Sequence, residues 1–270
     1  MAQQNDRPPG TGPGTPAPGS PFPTVRTVSI GAPLNWIAHG IDDLRACAIP
    51  SLFYGFCFTG MGLLLTVIFR HAYEYTVALT SGFLILGPFL AMGLYEISRR
   101  RERGETCGLL PTLTVWRRNI GNIGVFAVVL GILFLVWIRA SLIVFALFYT
   151  SEMPDLSGFI GQILSLENIE FLVAYFGVGL VFAFIAFAAS VVAVPLMLDR
   201  NQDAVSSMLA SFSALLRNPG AMLVWAFLIV ALTLLGFLTF HVGLVVMMPI
   251  IGHATWHAYR DLIEARQAPD

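Results

Sequence analysis

The chain has 270 residues, of which 56% are hydrophobic and only 11% charged; its mean hydropathy is +0.76 and its formal charge −1. An ordinary soluble domain carries roughly a quarter charged residues, so this composition cannot cover a soluble surface of that size. It excludes a conventional cytosolic enzyme, a disordered chain and a nucleic-acid binder driven by net charge.

Residues 1–24 stand apart. Pro8, Pro9, Pro13, Pro16, Pro18, Pro21 and Pro23 alternate with Gly10, Gly12, Gly14 and Gly19. No apolar run offsets the entropy of ordering, so a disordered tail is expected, and not a signal peptide. Residues 25–264 then form a membrane domain, followed by a short tail over 265–270.

A bilayer core of about 30 Å needs about 20 helical residues. Six stretches qualify: Ser51–Phe69, Thr76–Ile97, Asn122–Tyr149, Ile169–Leu198, Ala221–Thr239 and Val242–Tyr259. Every backbone group in lipid must be bonded internally, so these are predicted helices. They do not alternate polar with apolar residues, which excludes a β-barrel. The expected fold class is all-α, a polytopic membrane protein with six transmembrane helices in three hairpins and short cytoplasmic interfacial helices.

The basic residues are all arginine, and 13 of the 15 fall on one side of this arrangement. They include Arg99, Arg100, Arg101, Arg103, Arg117 and Arg118 between spans two and three. Arg70 lies on the other side and Arg139 inside a span. The positive-inside rule then puts both termini in the cytoplasm of a bacterial inner membrane. Cys47 and Cys107 fall on the reducing side and Cys57 within span one, so no disulfide is expected and the three read as small apolar filler.

Each hairpin is preceded by an amphipathic segment. Val205, Met208, Leu209, Phe212, Leu215 and Leu216 trace one helical face, with Asp203 as N-cap and Asn218-Pro219-Gly220 as stop. Arg118-Asn119-Ile120-Gly121 precedes span three in the same way. Leu34, Ile37, Ile41 and Leu44 share helical spacing before Arg45, Pro50 and span one. The returning spans each hold a proline (Pro88, Pro195, Pro249), followed by charges: Glu96 and Arg99, Asp199 and Arg200, Arg260 and Asp261. Spans three and four are overlong, reaching about 42–45 Å at the helical rise, so they tilt or protrude. Span four pairs Gly179 with Ala183 and Ala186 with Ser190 at a spacing that suits close helix packing.

Several motifs together resemble a family. They are Gly82-Phe83 through Gly87-Pro88, Gly93-Leu94-Tyr95-Glu96 with Ser98-Arg99-Arg100, and Gly104-Glu105. Ser51-Leu52-Phe53-Tyr54-Gly55, Leu198-Asp199-Arg200 with Asp203-Ala204, and Gly252-His253-Ala254-Thr255-Trp256-His257-Ala258-Tyr259-Arg260 add to them. The combination resembles a proteobacterial family of integral membrane proteins called domain of unknown function 2189, over roughly residues 25–264. The resemblance implies a polytopic inner-membrane protein and no particular reaction.

Polar residues within this apolar background are the candidate site. His253 and His257 share a helix face at i, i+4, a spacing that can ligate one metal, with His39, Glu96 or Asp199 as further ligands. The alternative is an interfacial aromatic–polar cluster with Trp256 and Tyr259 at headgroup level. Residue 254 is alanine, so the zinc-hydrolase pattern is absent. A polar cytoplasmic cluster is expected from His39, Asp42, Glu96, Asp199, Arg200, Trp256 and Arg260, with Glu96 in ion pairs rather than as a proton relay. Arg139 is an outer-side charge that snorkels to phosphates or pairs with Glu74, Glu152 or Asp155. No phosphate-binding glycine loop, nucleophile elbow or CxxC pair appears. No catalytic residue or cofactor is therefore expected. The partners expected are the phospholipid bilayer and a membrane protein or a second copy of the chain, with no nucleic acid. The leading expectation is a non-enzymatic membrane scaffold or assembly factor; a small-solute transporter or channel, and a metal- or haem-binding protein using His253 and His257, are the alternatives.

Overall fold

A computed structural model describes residues 23–71, 76–148 and 168–264. The Pro/Gly-rich tail through residue 22, most of the connector after span three and residues 265–270 lie outside the described residues. The described chain is helical: α1 (Ala32–Ala46), α2 (Ala48–His71), α3 (Thr76–Glu102), α4 (Leu109–Thr112), a 3-10 turn (Val115–Asn119), α5 (Ile120–Phe148), α6 (Ile169–Ser190), α7 (Ala193–Arg200), α8 (Ala204–Arg217), α9 (Pro219–Leu238) and α10 (Leu244–Leu262). An isolated bridge between Val25 and Ile263 is the one extended pairing among the described residues.

Among the described residues, four stretches are long and apolar enough to cross a membrane: Ala48–Ile68, Leu109–Phe148, Ile169–Arg200 and Pro219–Leu238. Leu147, Leu180, Phe227 and Leu238 stand exposed on them. A bare apolar surface of this kind is stable only in lipid or against another apolar surface. The consecutive long helices α2 and α3, α5 and α6, and α9 and α10 pack against each other.

Helix α10 is the centre of the fold, packing on α1, α2, α3 and α9. Gly40 of α1 permits that approach, because a Cβ there would come within 2.7 Å of the Ile250 carbonyl oxygen and 2.9 Å of the Ala254 nitrogen. Trp36, one turn earlier, is fully buried; its Nε1 donates to Asp261 Oδ2 at 2.6 Å, and its ring meets Trp225 edge to face at 5.7 Å.

The two amphipathic helices are formed, and each uses both faces. In α8 the large apolar Val205, Leu209, Phe212 and Leu216 face outward, while Ala204, Ser207, Ala210, Ser211 and Ala214 pack inward. In α1 Leu34 is exposed, while Trp36, Gly40, Asp43 and then Cys47 form the buried stripe. Apart from Trp36 and Leu215, it is mostly small side chains that face the protein, where they let helices come close; most of the large ones are left for an apolar exterior. Asp203 caps α8 as expected, accepting from the Ser206 amide at 2.8 Å, and that bond holds its carboxyl below the usual range.

Span four is not one helix. It breaks between Ser190 and Ala193 into α6 and the buried α7. Pro195 is the cause, since it has no N–H to give the Val191 carbonyl and its ring crowds that turn. Pro249 by contrast sits inside a continuous α10.

Asn218 does more than stop α8. Its Oδ1 accepts from the Val28 amide at 2.8 Å, and its Nδ2 donates to the Arg26 and Ala214 carbonyls at 2.9 and 3.1 Å. It thereby ties the chain before α1 to the α8–α9 corner. Asn218→Ala removes three hydrogen bonds at this part-buried corner and should cost about 1–3 kcal/mol, read by denaturant unfolding in detergent.

The expectation of no disulfide is overturned. Cys47 and Cys107 are bonded, their Cα atoms 5.6 Å apart across 60 residues of sequence, while Cys57 is free. Compartment alone suggested reduced thiols; the return of α3 beside α2 brings the two cysteines together. Thiol titration of the unfolded chain should therefore find one reactive cysteine before reduction and three after it.

Candidate functional site

The polar residues meet at one end of the helix stack, around the last turns of α3 and α10. One half centres on Asp43, which occupies the buried stripe of α1. Ser98 Oγ donates to its Oδ2 at 2.5 Å, His257 Nε2 lies 2.9 Å from the same oxygen, and Arg101 pairs with Oδ1. Burial pushes the Asp43 carboxyl up, but the bonds from His257, Ser98 and Arg101 outweigh it and bring it down to about 2.

His253 is fully buried, with Nε2 2.9 Å from Ser51 Oγ and Nδ1 2.8 Å from Ser98 Oγ. Ser51 Oγ is also 2.7 Å from the Cys47 carbonyl oxygen. Proton counting constrains this chain. Each serine has one hydrogen. If Ser51 gives its hydrogen to Cys47 and Ser98 gives its own to Asp43, both ring nitrogens must donate, as in imidazolium. A neutral ring requires one serine to turn its hydrogen toward it.

Ser51, His253 and Asp43 have the identities of a nucleophile, base and acid. Their arrangement is not that of a working triad. Ser98 stands between the ring and the carboxylate, with His253 Nδ1 4.0 Å from Asp43 Oδ2, and Ser51 and His253 are both fully buried. The hydrogen bonds of Ser51, His253, Ser98 and Asp43 join α1, α2, α3 and α10.

The other half is an ion-pair ladder. Glu96, almost fully buried, accepts from Arg99 at 3.0 Å and from both terminal nitrogens of Arg118 at 3.1 and 3.3 Å. Arg99 Nε reaches Asp199 at 3.0 Å. Asp199 also accepts from the Tyr259 hydroxyl at 2.8 Å, and Arg200 Nε donates to that hydroxyl at 3.1 Å. Burial alone would lower the Arg99 pKa; Glu96 and Asp199 reverse this and raise it. Arg260 and Trp256 close the ladder on Glu102 at 3.0 and 3.2 Å.

Most of the expected cluster is thus assembled: Glu96, Asp199, Arg200, Trp256 and Arg260 are linked. Glu96 pairs with Arg99 and Arg118, not with Arg200 or Arg260. His39 is exposed at the edge, its ring 5.2 Å from that of His257. Asp42 is outside the cluster, exposed and 3.9 Å from Arg45. Its neighbour Asp43 holds the inner position, and only the Trp36–Gly40–Asp43–Cys47 spacing could have shown it. Ser51, Ser98, Arg101, Arg118 and Glu102 were likewise not foreseen in these roles. Among the described residues there is no group of three or more His, Cys, Asp or Glu side chains placed to hold a metal ion. Arg139 is exposed on α5, and Glu74, Glu152 and Asp155 lie outside the described residues.

The motif segments explain one another here. Ser51 bonds His253, the Tyr54 hydroxyl lies 2.8 Å from Thr112 Oγ1, and Gly55 faces the Val245 backbone. Gly252 faces Leu94, and Tyr259 bonds Asp199. No curated protein and no solved structure matches the chain. Residues 76–199, from the first residue of α3 almost to the end of α7, match the model of DUF2189, a family described as a predicted integral membrane protein.

Proposed function

We propose that this is a six-span inner-membrane protein with cytoplasmic termini that works without catalysis, as a scaffold or assembly factor holding a transmembrane helix of another membrane protein. The observation that carries the reading is an almost wholly apolar groove of about 270 Å³ along α5 and α6, lined by Leu130, Leu133, Phe134, Trp137, Gly179 and Ala183 among others. Small residues in its floor allow a partner backbone to come near. The polar network supports the reading from the other side, because its carboxylates are engaged within the protein and brace the helices. The pairing of α2 with α3, α5 with α6 and α9 with α10 supports three hairpins, and the outward apolar faces of α1 and α8 support interfacial helices.

A photocrosslinker at Leu133 in native membranes should capture one defined membrane protein, and Gly179→Leu should abolish that product. Crosslinks to lipid alone would overturn the scaffold reading. Uptake by proteoliposomes above empty vesicles would favour transport instead. Topology is checked separately: a phosphatase fused within residues 152–167 should be active, and a fluorescent protein at the C-terminus should fluoresce.

A further inference from the structure

Beside Glu96 lies an open polar cleft of about 400 Å³ whose walls include Arg99, Arg100, Arg103 and Arg118. Three carboxylates share it: Glu96, Glu105 and Asp199. They hold the guanidinium groups in place without saturating them. Arg118 spends two N–H groups on Glu96, and Arg100 spends its contacts on the Thr106 carbonyl at 3.2 Å and Glu105 at 3.1 Å. Each guanidinium has five N–H donors in all. Arg103 stands 3.9 Å from Asp199, beyond hydrogen-bond reach, and is half exposed. The carbonyl ends of α3 and α7 subtract about half a charge each; Arg200, bonded to the same Tyr259 hydroxyl that reaches Asp199, offsets this, while Arg260 is balanced by Glu102.

We propose that this cleft binds the phosphate group of an anionic ligand. Forked guanidinium donors match phosphate oxygens, and here they come from separate stretches of chain, Arg99 to Arg103 and Arg118. Arg99, Arg100 and Arg118, already fixed by carboxylates, lose little freedom when the ligand arrives. A phospholipid headgroup and a soluble phosphate compound present the same chemistry. The assignment depends neither on the number of spans nor on the scaffold reading.

The full chain, purified in neutral detergent, is titrated calorimetrically with inorganic pyrophosphate. In parallel, native mass spectrometry from nanodiscs compares retention of phosphatidylglycerol with phosphatidylcholine. Saturable pyrophosphate binding identifies a soluble ligand class; selective retention of phosphatidylglycerol without it identifies a headgroup. In either case Arg103→Ala should weaken binding about tenfold, the loss of one charge-assisted contact. Asn201→Asp, which adds a negative charge to the cleft wall, should weaken it as well. Arg45→Ala removes an equal charge outside the cleft and should change nothing. Binding in neither arm, or an equal loss in Arg45→Ala, would overturn the proposal.

Discussion

Asp43→Ala should destabilise the protein by about 1–3 kcal/mol, because it strands the buried Ser98 hydroxyl and takes the shared acceptor from His257 and Arg101. Asp43 is 3% exposed and is the acceptor shared by Ser98, His257 and Arg101. Its loss leaves Ser98 without its acceptor and removes the carboxylate that His257 and Arg101 contact. A fall in the thermal midpoint of about 5 °C should follow, measured in one detergent. Asp43→Asn keeps an acceptor for Ser98 and should fall between the two. The pH dependence has a definite sign. A carboxyl at about 2 in the folded state and near 4 when unfolded stabilises the fold fully above about pH 4. That contribution is lost as pH falls from 4 toward 2. The wild-type midpoint should therefore drop across this window, and Asp43→Ala should lose that part of the drop. An alanine variant as stable as the wild type would show that these bonds do not hold the helices.

Two glycines of α2 should respond to the same substitution with opposite signs. At Gly55 an added Cβ would overlap the carbonyl of Val245 in α10, which cannot rotate away as a side chain could. Gly55→Ala must push α2 from α10 and should cost about 1–3 kcal/mol or more. At Gly60 nothing lies within 4 Å, and the helix backbone suits alanine. Gly60→Ala should stabilise by about 0.5–1 kcal/mol through propensity alone. Thermal unfolding of the two variants side by side tests the packing of α2 on α10, since both make the same chemical change in one helix. Equal shifts would mean that α2 does not approach α10 at Gly55.

The inward faces were harder to read than the helices themselves. Leu34, Val205 and Leu209 mark their faces clearly because large apolar residues at helical spacing stand out. Apart from Trp36 and Leu215, the packing faces of α1 and α8 are mostly small residues with one aspartate, which carry little hydropathy contrast. For the same reason Asp42 and Asp43 look equivalent until α10 is in place, and a single residue of rotation, about 100° around α1, decides which is buried. The disulfide was hidden differently: Cys47 and Cys107 are 60 residues apart, and only the path of α3 joins them.

What the amino-acid order settled by itself was helical secondary structure and membrane character, because long apolar runs permit only internally bonded backbone in lipid. The charges that follow Pro88, Pro195 and Pro249 were visible too, as separate groups. Their assembly into one network belongs to tertiary structure. Pairing depends on which faces of α1, α3, α7 and α10 meet, and close approach at small residues such as Gly40 and Gly252 fixes that choice.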